Sequence, residues 1–463
     1  MWRRVDLGLV AVVAIAAITR GFQLSSPGRL YFDEFYAQDA CVYLGLSESI
    51  CGLSTEASWM HPPLGKWLIS TGIALVGFEP IAWRLAPAAA GIVMVGLVHV
   101  LTRRLTKSAL GAALAGGLVA LDPLSIVMSR IAMLDTFTAC AGVATVLFVV
   151  LAREQLERRR QGGRGSSRPW LIAAGVAAGV AVATKWSGVL AVGVAVLLVV
   201  AWEVSAARRS GRTWLSGVGA AVPSVVGWLI VLPAAIYVIS YAGRLDGELV
   251  AVPWQEGAWV RQFVERQVQM LDFHVGLDLT HPYASPAWSW LLGKRPVALL
   301  IETGGAGRVR EILAFVNPLV WLPGLAAAAA ACVVAARRGR LWGPELVIAA
   351  GVAGTYLPWL MLAGGRSQVF AYYILPTLPF LAVALGWAAA ELRTAGRSLA
   401  GALAAVSIVV VLFWSPLIYG WPLDDEARQA RIIFADCSDA EGQGRRLAPR
   451  RDSGPPPTGW CWA

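Results

Sequence analysis

Long hydrophobic runs, separated by short polar segments, dominate the chain. Each run is about 20 residues long, the length that an α-helix needs to cross a bilayer. Eleven such runs are predicted to be membrane-spanning helices, at residues 6–24, 82–102, 109–128, 132–152, 169–185, 187–204, 214–240, 312–335, 342–362, 369–390 and 399–417. Two long connections, 25–80 and 241–311, and a tail at 418–463 complete the chain. The pattern predicts an all-α integral membrane protein.

The composition supports this prediction, because 57% of the residues are hydrophobic and only 15% are charged. A soluble globular protein carries about 25% charged residues. The formal net charge of +10 does not require a nucleic-acid partner, since cytoplasmic loops of membrane proteins collect Lys and Arg. The basic residues gather in five short connections, at 103–107, 153–168, 208–212, 337–340 and 393–397. These connections are predicted to be cytoplasmic.

This orientation places the N-terminus in the cytoplasm and both long connections outside it. An odd number of spans also places the tail outside, although its six arginines oppose that assignment. The first run could be a secretory signal peptide, since Ala14 and Ala16 form a small-x-small site; we favour an uncleaved first span. We expect one multi-spanning domain at 1–417 and an extracytoplasmic tail at 418–463.

Two segments within the long connections are predicted to lie in the membrane interface. Residues 64–78 are amphipathic and too short to cross, and they follow Pro62 and Pro63. In residues 259–274, large apolar side chains recur near a helical spacing. The same connections and the tail hold two pairs of cysteines, Cys41 with Cys51 and Cys437 with Cys461. An oxidising compartment would permit two disulfides.

Ionisable residues near the span ends gather on one side of the membrane. They are Asp33, Glu34, Arg84, Asp122, Arg130, Asp135 and Lys185, joined by His61, His274 and His281 in the outward loops. Ionisable groups at membrane depth mark function by default, which predicts a site at the extracytoplasmic surface. Taken singly, each basic residue could instead snorkel to the interface. A transporter would place its charges nearer the midplane.

Several motifs occur together in a fixed order along the chain. They are Phe32-Asp-Glu34, His61-Pro-Pro-Leu-Gly-Lys66, Trp83-Arg84, Ser129-Arg130 through Asp135, Thr184-Lys-Trp186, His281-Pro-Tyr-Ala-Ser285 and Trp288-Ser-Trp290. This set closely resembles the protein O-mannosyltransferases, multi-spanning enzymes of the GT-C class that use polyprenyl-phosphate mannose. The composition resembles an actinobacterial member. One departure is that 241–311 leaves no room for the MIR domain of eukaryotic relatives.

The resemblance implies transfer of mannose to Ser or Thr hydroxyls by a single inverting displacement. It implies Asp33 as the catalytic base and Glu34 as a residue that holds acceptor or sugar. A departing phosphate needs positive charge beside it, so Arg84, Arg130 and Lys185 are expected to bind the donor phosphate. The sugar and acceptor site is expected to contain His61, Lys66, Asp135, His274, His281 and Trp288, with Asp135 orienting Arg130.

No metal or other cofactor is expected, although an adjacent Asp and Glu could bind a divalent ion. The expected partners are the lipid-linked mannose donor and secreted or membrane acceptor proteins, with the secretion translocon as a further candidate, in the cell membrane. Three alternatives stay open. The enzyme could be a GT-C transferase that acts on a glycolipid or cell-wall glycan, the chain could be a transporter or flippase, or it could be a structural scaffold.

Overall fold

The computed structural model describes residues 6–242, 244–245, 248–249, 259–277, 283–304, 307–338, 343–362 and 369–431. Most of them are helical. The α-helices are α1 Leu7–Gly21, α2 Phe35–Tyr43, α3 Glu48–Cys51, α4 Leu64–Val76, α5 Pro80–Thr106, α6 Ala109–Ala120, α7 Pro123–Ser129, α8 Asp135–Arg160, α9 Arg168–Thr184, α10 Val189–Arg209, α11 Trp214–Ser224, α12 Leu232–Ser240, α13 Trp259–Val275, α14 Pro318–Arg338, α15 Pro344–Leu362, α16 Leu378–Glu391, α17 Thr394–Tyr419 and α18 Asp425–Gln429. A π-helix, Val225–Val231, joins α11 to α12.

Each of the eleven predicted spans falls on a helix or on a pair of helices. In the described part of the chain, six continuous helical segments are long and apolar enough to cross a membrane, at 80–106, 135–160, 186–209, 214–240, 318–338 and 394–419. Helices α6 and α7, bent by 58° at their junction, make a seventh if they form one span. Helices α1, α9 and α16 are apolar but shorter. The protein is a multi-pass membrane protein, and the count of eleven spans stays a prediction.

One predicted boundary is wrong, because the eighth span does not begin at residue 312. Residues Val309–Ala314 form strand β4, which pairs antiparallel with β3, Val297–Thr303, from Val297 opposite Ala314 to Thr303 opposite Val309. A second small hairpin pairs β1, Arg244–Leu245, with β2, Glu248–Leu249. A short apolar run fits a buried strand as well as a helix, and β4 is buried against α7 and α17.

Glycine allows the membrane helices to approach closely at the contact between α6 and α16. A Cβ atom at Gly111 would lie 2.3 Å from the backbone oxygen of Gly386, and one at Gly386 would lie 2.4 Å from the oxygen of Gly111. Neither position can therefore hold a side chain without separating the helices. Such small residues let backbones touch where lipid offers no hydrophobic driving force for association.

The loop between α1 and α2 is fixed by Arg84, which lies in the first turns of α5. The five guanidinium hydrogen bonds of Arg84 all go to this loop. Two reach the carboxylate of Glu34, at 2.7 and 2.8 Å. The other three reach the backbone oxygens of Leu24, Pro27 and Arg29, at 3.2, 2.8 and 2.9 Å. Because a guanidinium has five N–H donors, Arg84 has none left for another partner.

Arg130, at the end of α7, fixes the start of the same loop. Its guanidinium donates to the backbone oxygens of Arg20 and Gln23, at 3.0 and 3.1 Å, and also to that of Phe22. It lies 4.7 Å from the ring centroid of Tyr419, the last residue of α17. The carbonyl groups that α1 leaves unpaired at its C-terminus therefore have partners.

The segment after α17 lies at the same end of the helical bundle as this loop. Its backbone pairs with β4 through the two hydrogen bonds between Val309 and Leu423, at 2.8 and 2.9 Å. Arg428 forms a fully buried ion pair with Glu311 at 2.7 Å. The described part of the predicted tail therefore belongs to the folded body. Cys437 and Cys461 lie outside the described residues.

The other predicted cysteine pair is present, because Cys41 at the end of α2 and Cys51 in α3 form a disulfide. It closes a loop of 10 residues just beyond Asp33 and Glu34. Of the two predicted interface helices, the first is α4 and the second is α13. Helix α13 leaves a stripe of apolar side chains exposed, at Val260, Val264, Val268 and Leu271.

We predict that replacing both Cys41 and Cys51 by Ser lowers the free energy of unfolding by about 3 kcal/mol, because the unfolded chain regains loop entropy. The measurement is thermal unfolding of the purified protein in detergent. Cys332→Ser is the matched control, since Cys332 is an exposed free cysteine. Equal midpoints for the double variant and the control would show that the bridge does not stabilise the fold.

Candidate active site

Asp33 stands near the end of the α1–α2 loop, two residues before α2 begins at Phe35. Its side chain is half-buried, and no described residue makes a hydrogen bond or ion pair with its carboxylate. Burial raises the pKa of Asp33 to about 6; the positive charge of Lys185 opposes this shift and the negative charge of Asp135 adds to it. A carboxylate with this pKa is charged at neutral pH and is well matched to accept a proton.

Lys185 lies beyond the C-terminus of α9, before a short 3₁₀ helix, Trp186–Gly188. Its Nζ donates to Oδ1 of Asp135, the first residue of α8, at 2.8 Å. The same nitrogen lies 4.7 Å from the ring centroid of Tyr373. An ammonium carries three N–H donors, so this arrangement holds the charge in place and uses only one of them. The remaining donors suit an anion such as a phosphate.

A groove opens beside the Lys185–Asp135 pair. Helices α8, α10, α15 and α16 supply its walls. The lining is mostly apolar and includes Val146, Leu190, Val194, Trp359 and Phe380. An apolar groove that ends at a cation can hold an amphiphile with a hydrocarbon chain and an anionic head.

Four rings form a continuous wall that begins at Tyr36, three residues after Asp33. His61 lies between Tyr36 and His274, with ring centroids 5.8 and 5.5 Å away. His274 also lies 5.6 Å from Trp186, which follows Lys185. A hydrogen bond of 3.0 Å between the Nε2 atom of His274 and the backbone oxygen of Met60 holds His274, on α13, in this position. The wall therefore connects α2, which begins beside Asp33, to the residue after Lys185.

Glu34 and Arg84 do not face this site. The Glu34 carboxylate is fully buried and also accepts hydrogen bonds from the backbone N–H groups of Tyr31 and Ala132, at 3.3 and 3.2 Å. The expected roles of Glu34 in acceptor or sugar binding and of Arg84 in phosphate binding disagree with this geometry. Both side chains are committed to each other and to the loop.

The expected roles of Arg130 and Asp135 also disagree with the structure. Arg130 binds backbone oxygens around the end of α1, so we assign it to the loop and not to the donor phosphate. Asp135 does not orient Arg130, because among the described residues the Asp135 carboxylate accepts its side-chain hydrogen bond from Lys185. Of the three basic residues expected to bind phosphate, Lys185 alone keeps a geometry that suits this task.

Lys66 is also removed from the site by burial. Its Nζ lies beneath the surface, 3.5 Å from Oδ2 of Asp39, and donates to the backbone oxygen of Ser58 at 2.6 Å and to the carboxylate of Glu56. This network ties the segment before α4 to α2. Lys66 therefore stabilises the outward loop and does not bind sugar or acceptor.

The last two predicted site residues are Trp288 and His281. Trp288 lies in a 3₁₀ helix, Ala287–Leu292, with 57% of the residue exposed, and Lys294 lies 5.1 Å from the centroid of its ring. No described contact joins Trp288 to Asp33 or Lys185, so its role in the sugar or acceptor site stays a prediction. His281 lies outside the described residues, so its role stays a prediction.

No group of three or more His, Cys, Asp or Glu side chains in the described ranges is arranged to hold a metal ion. Asp33 and Glu34 are adjacent in sequence, but Glu34 is turned to Arg84 and Asp33 is electrostatically coupled to Lys185 and Asp135. They do not converge on one position. A site without metal stays a prediction.

Sequence reasoning did not single out Tyr36 and Tyr373 as site residues. Tyr36 stands in the motif that carries Asp33, so proximity along the chain offered a signal. Tyr373 comes from a 3₁₀ helix, Ala371–Ile374, almost 200 positions after Lys185 and is flanked by other aromatic residues. Its position was not predictable because a tyrosine near a span end is typical of the aromatic belt of any membrane protein.

Two family models match the chain. The model described as dolichyl-phosphate-mannose-protein mannosyltransferase matches residues 80–243. The model described as the C-terminal four TMM region of protein-O-mannosyltransferase matches residues 259–436. Between them they cover all of the predicted spans except the first.

Curated relatives match over nearly the whole chain. The polyprenol-phosphate-mannose–protein mannosyltransferase of Mycobacterium tuberculosis is 29% identical over 91% of this chain and 90% of its own. The protein of the same name from Corynebacterium glutamicum is 28% identical over 94% of both chains. The sequence similarity therefore extends along nearly the whole chain and is not confined to one motif.

Among solved structures, the Saccharomyces cerevisiae protein O-mannosyltransferase Pmt1–Pmt2 complex bound to the sugar donor has a similar fold. The TM-score is 0.73 with 14% identity, and the match covers 93% of this chain and 92% of that one. At this identity the likeness establishes the fold alone. Together with the two family models, it shows that the chain belongs to the protein O-mannosyltransferase family and has the GT-C fold.

Proposed function

We propose that this protein transfers mannose from a polyprenyl-phosphate carrier to Ser and Thr hydroxyls of acceptor proteins. The observation that carries the proposal is the juxtaposition of a half-buried carboxylate without a partner among the described residues, Asp33, and a cation at the mouth of an apolar groove, Lys185. The relatives described above are named for this reaction. The two groups correspond to the two requirements of the chemistry, a base and a phosphate ligand.

The donor would lie with its hydrocarbon chain in the groove and its phosphate at Lys185. Apolar side chains such as Leu190, Val194 and Phe380 line the groove and match an isoprenoid chain. The Lys185 Nζ, held by Asp135 and the Tyr373 ring, would donate to the phosphate oxygens. This interaction strengthens as the C1–O bond breaks and negative charge builds on the leaving phosphate.

The acceptor hydroxyl would attack C1 of mannose from the face opposite the phosphate. Asp33 would take the hydroxyl proton as the new C–O bond forms, and the lipid phosphate would leave with the bonding electron pair. One carboxylate is sufficient, because a phosphate leaving group needs no protonating acid. The configuration at C1 inverts in this single displacement. The ring wall of Tyr36, His61 and His274 is the side from which we expect the acceptor to enter.

The orientation and location follow from the distribution of charge. The basic ends of α5, α8 and α10 lie at the opposite end of these helices from Arg84, Asp135 and Lys185. By the positive-inside rule, we infer that Asp33 and the segment after α17 face the extracytoplasmic side and that the N-terminus is cytoplasmic, in the cell membrane. Acceptors would then arrive as secreted or membrane proteins, with the secretion translocon as a candidate partner.

We predict that Asp33→Asn reduces mannosyl transfer by at least about a hundredfold, since the amide keeps the shape and loses the basicity. The assay uses purified protein, polyprenyl-phosphate mannose and a Ser/Thr-rich peptide. Asp425→Asn is the matched control, because Asp425 is exposed and its contacts are with Arg428 and Gln429, not with Asp33 or Lys185. Glu34→Gln, in contrast, should lower the yield of folded protein, because Arg84 loses a buried partner.

A folded Asp33→Asn variant with near-normal turnover would remove Asp33 as the base. A wild-type protein that binds the donor and moves it across vesicle membranes without transferring mannose would instead support the transporter alternative. Size-exclusion profiles of each variant separate loss of chemistry from loss of folding.

The activity should also depend on pH in a specific way. Because Asp33 must be deprotonated and its pKa is about 6, kcat/KM should rise as the pH passes through about 6 and level off above it. Lys185→Met removes a charge that lowers this pKa, so the rise should move to higher pH; Asp135→Asn removes a charge that raises it, so the rise should move to lower pH. A pH profile unchanged in both variants would contradict the assignment.

The donor site makes a separate prediction about Lys185 and Tyr373. Lys185→Met should weaken donor binding by about 2 to 5 kcal/mol, the range for loss of one partner of a buried charge pair. Tyr373→Leu should weaken it by about 1 kcal/mol through loss of the cation–π contact, whereas the matched control Tyr373→Phe keeps the ring. Donor titration of the purified variants provides the measurement, and wild-type affinity in Lys185→Met would place the phosphate elsewhere.

A further inference from the structure

The end of the helical bundle opposite Asp33 carries an uneven distribution of charge. Three of its segments, 103–107, 153–168 and 203–212, hold twelve basic and three acidic side chains, an excess of nine positive charges. We call this surface the basic face. The other connections at the same end, 337–345 and 391–397, hold five basic and two acidic residues, an excess of three. Basic residues that only set the orientation of the protein in the membrane would not need to be concentrated on one side of this end.

The cations of the basic face are open to their surroundings. Eleven of the twelve basic residues are exposed, and only Arg153 is half-buried. The side chains of Lys107, Arg158 and Arg104 are 73%, 57% and 43% exposed. A basic residue at a helix C-terminus complements the helix dipole, but that effect accounts for one or two cations per helix and not for an excess of nine.

The three glutamates of the basic face connect its helices without neutralising it. Glu154, on α8, lies 3.2 Å from Arg104 in the last turn of α5 and 3.4 Å from Lys107, the residue that follows α5. Glu203, on α10, lies 2.8 Å from Arg160 of α8. Helices α5, α8 and α10 are therefore held side by side, so that their cations form one continuous surface.

Two tryptophans indicate the depth of the basic face relative to the membrane. Trp170 lies in the first turn of α9 and Trp214 begins α11. Each follows a basic residue by two positions, Arg168 and Arg212. Both rings are exposed, at 38% and 53% of the residue. Exposed tryptophan in a membrane protein marks the level of the lipid headgroups. The arginines beside these rings are therefore at the height of the phosphate groups of the surrounding lipid.

We propose that the basic face binds the headgroups of anionic phospholipids in the adjacent leaflet. Guanidinium groups form charge-assisted hydrogen bonds with phosphate oxygens, and anionic headgroups attract clusters of Lys and Arg next to membrane helices. The lipid would bridge α5, α8 and α10 at the end remote from Asp33. The binding does not take part in mannosyl transfer, so this proposal is independent of the proposed function.

The test compares binding of phosphatidylglycerol and phosphatidylcholine to the purified full-length protein, by native mass spectrometry. The test variant is Arg158→Gln/Arg159→Gln/Arg164→Gln, which removes three exposed cations from the basic face. The matched control is Arg337→Gln/Arg393→Gln/Arg397→Gln, which removes three cations from the other side of the same end. Mannosyl transfer in detergent is measured in parallel and should be unchanged in both variants.

We expect the wild type to prefer phosphatidylglycerol by about tenfold or more, with a preference that falls as salt rises. The test variant should lose most of this preference, and the control should keep it within about twofold. No preference in the wild type, or an equal loss in both variants, would overturn the proposal. The excess charge would then serve topology or an acidic protein partner.

Discussion

The ion pair between Glu34 and Arg84 is the interaction on which the site depends. Arg84 lies on a long membrane helix, and its five hydrogen bonds fix both the carboxylate of Glu34 and three carbonyl groups of the loop before it. Removing one member would leave a buried charge without compensation, which typically costs 3–5 kcal/mol. Because Asp33 is bonded covalently to Glu34, the pair also fixes the carboxylate that has no partner among the described residues. The Glu34–Arg84 ion pair therefore keeps Asp33 in the position that the proposed chemistry requires.

Burial separates the roles of these two adjacent acids. Glu34 is saturated with hydrogen bonds and cannot exchange a proton without breaking them. Burial raises the pKa of the Asp33 carboxyl to about 6, against the opposing effect of the positive charge of Lys185. Asp33 therefore suits a catalytic role, and Glu34 suits a structural one. The same division separates the arginines from Lys185, because guanidinium forks suit several carbonyl groups at once whereas a compact ammonium keeps free donors.

One long helix, α8, connects the two ends of the molecule. Helix α8 begins with Asp135 beside Lys185 and ends with Arg160 on the basic face. At about 1.5 Å per residue, a helix of 26 residues is long enough to cross the bilayer. Ionisable groups are costly in hydrocarbon, so they are confined to the two ends, where the proposed chemistry and the proposed lipid contacts take place. The groove lies along the first half of α8, from Asp135 to Val146.

Sequence by itself determined the membrane class, the position of the hydrophobic helices apart from the start of the eighth predicted span, the helices α4 and α13, and the end of the bundle at which Asp33, Asp135 and Lys185 gather. These features follow from local composition and from the length of a bilayer. The tertiary structure alone decided which charges are paired: Arg84, Arg130 and Lys66 are consumed by carbonyl groups and carboxylates of the outward loops, and Asp135 belongs to Lys185. It also decided that residues 297–314 form a hairpin and that Tyr373 joins the site. The physical reason is that hydrogen-bond partners distant in sequence are selected by packing, which a one-dimensional pattern does not record.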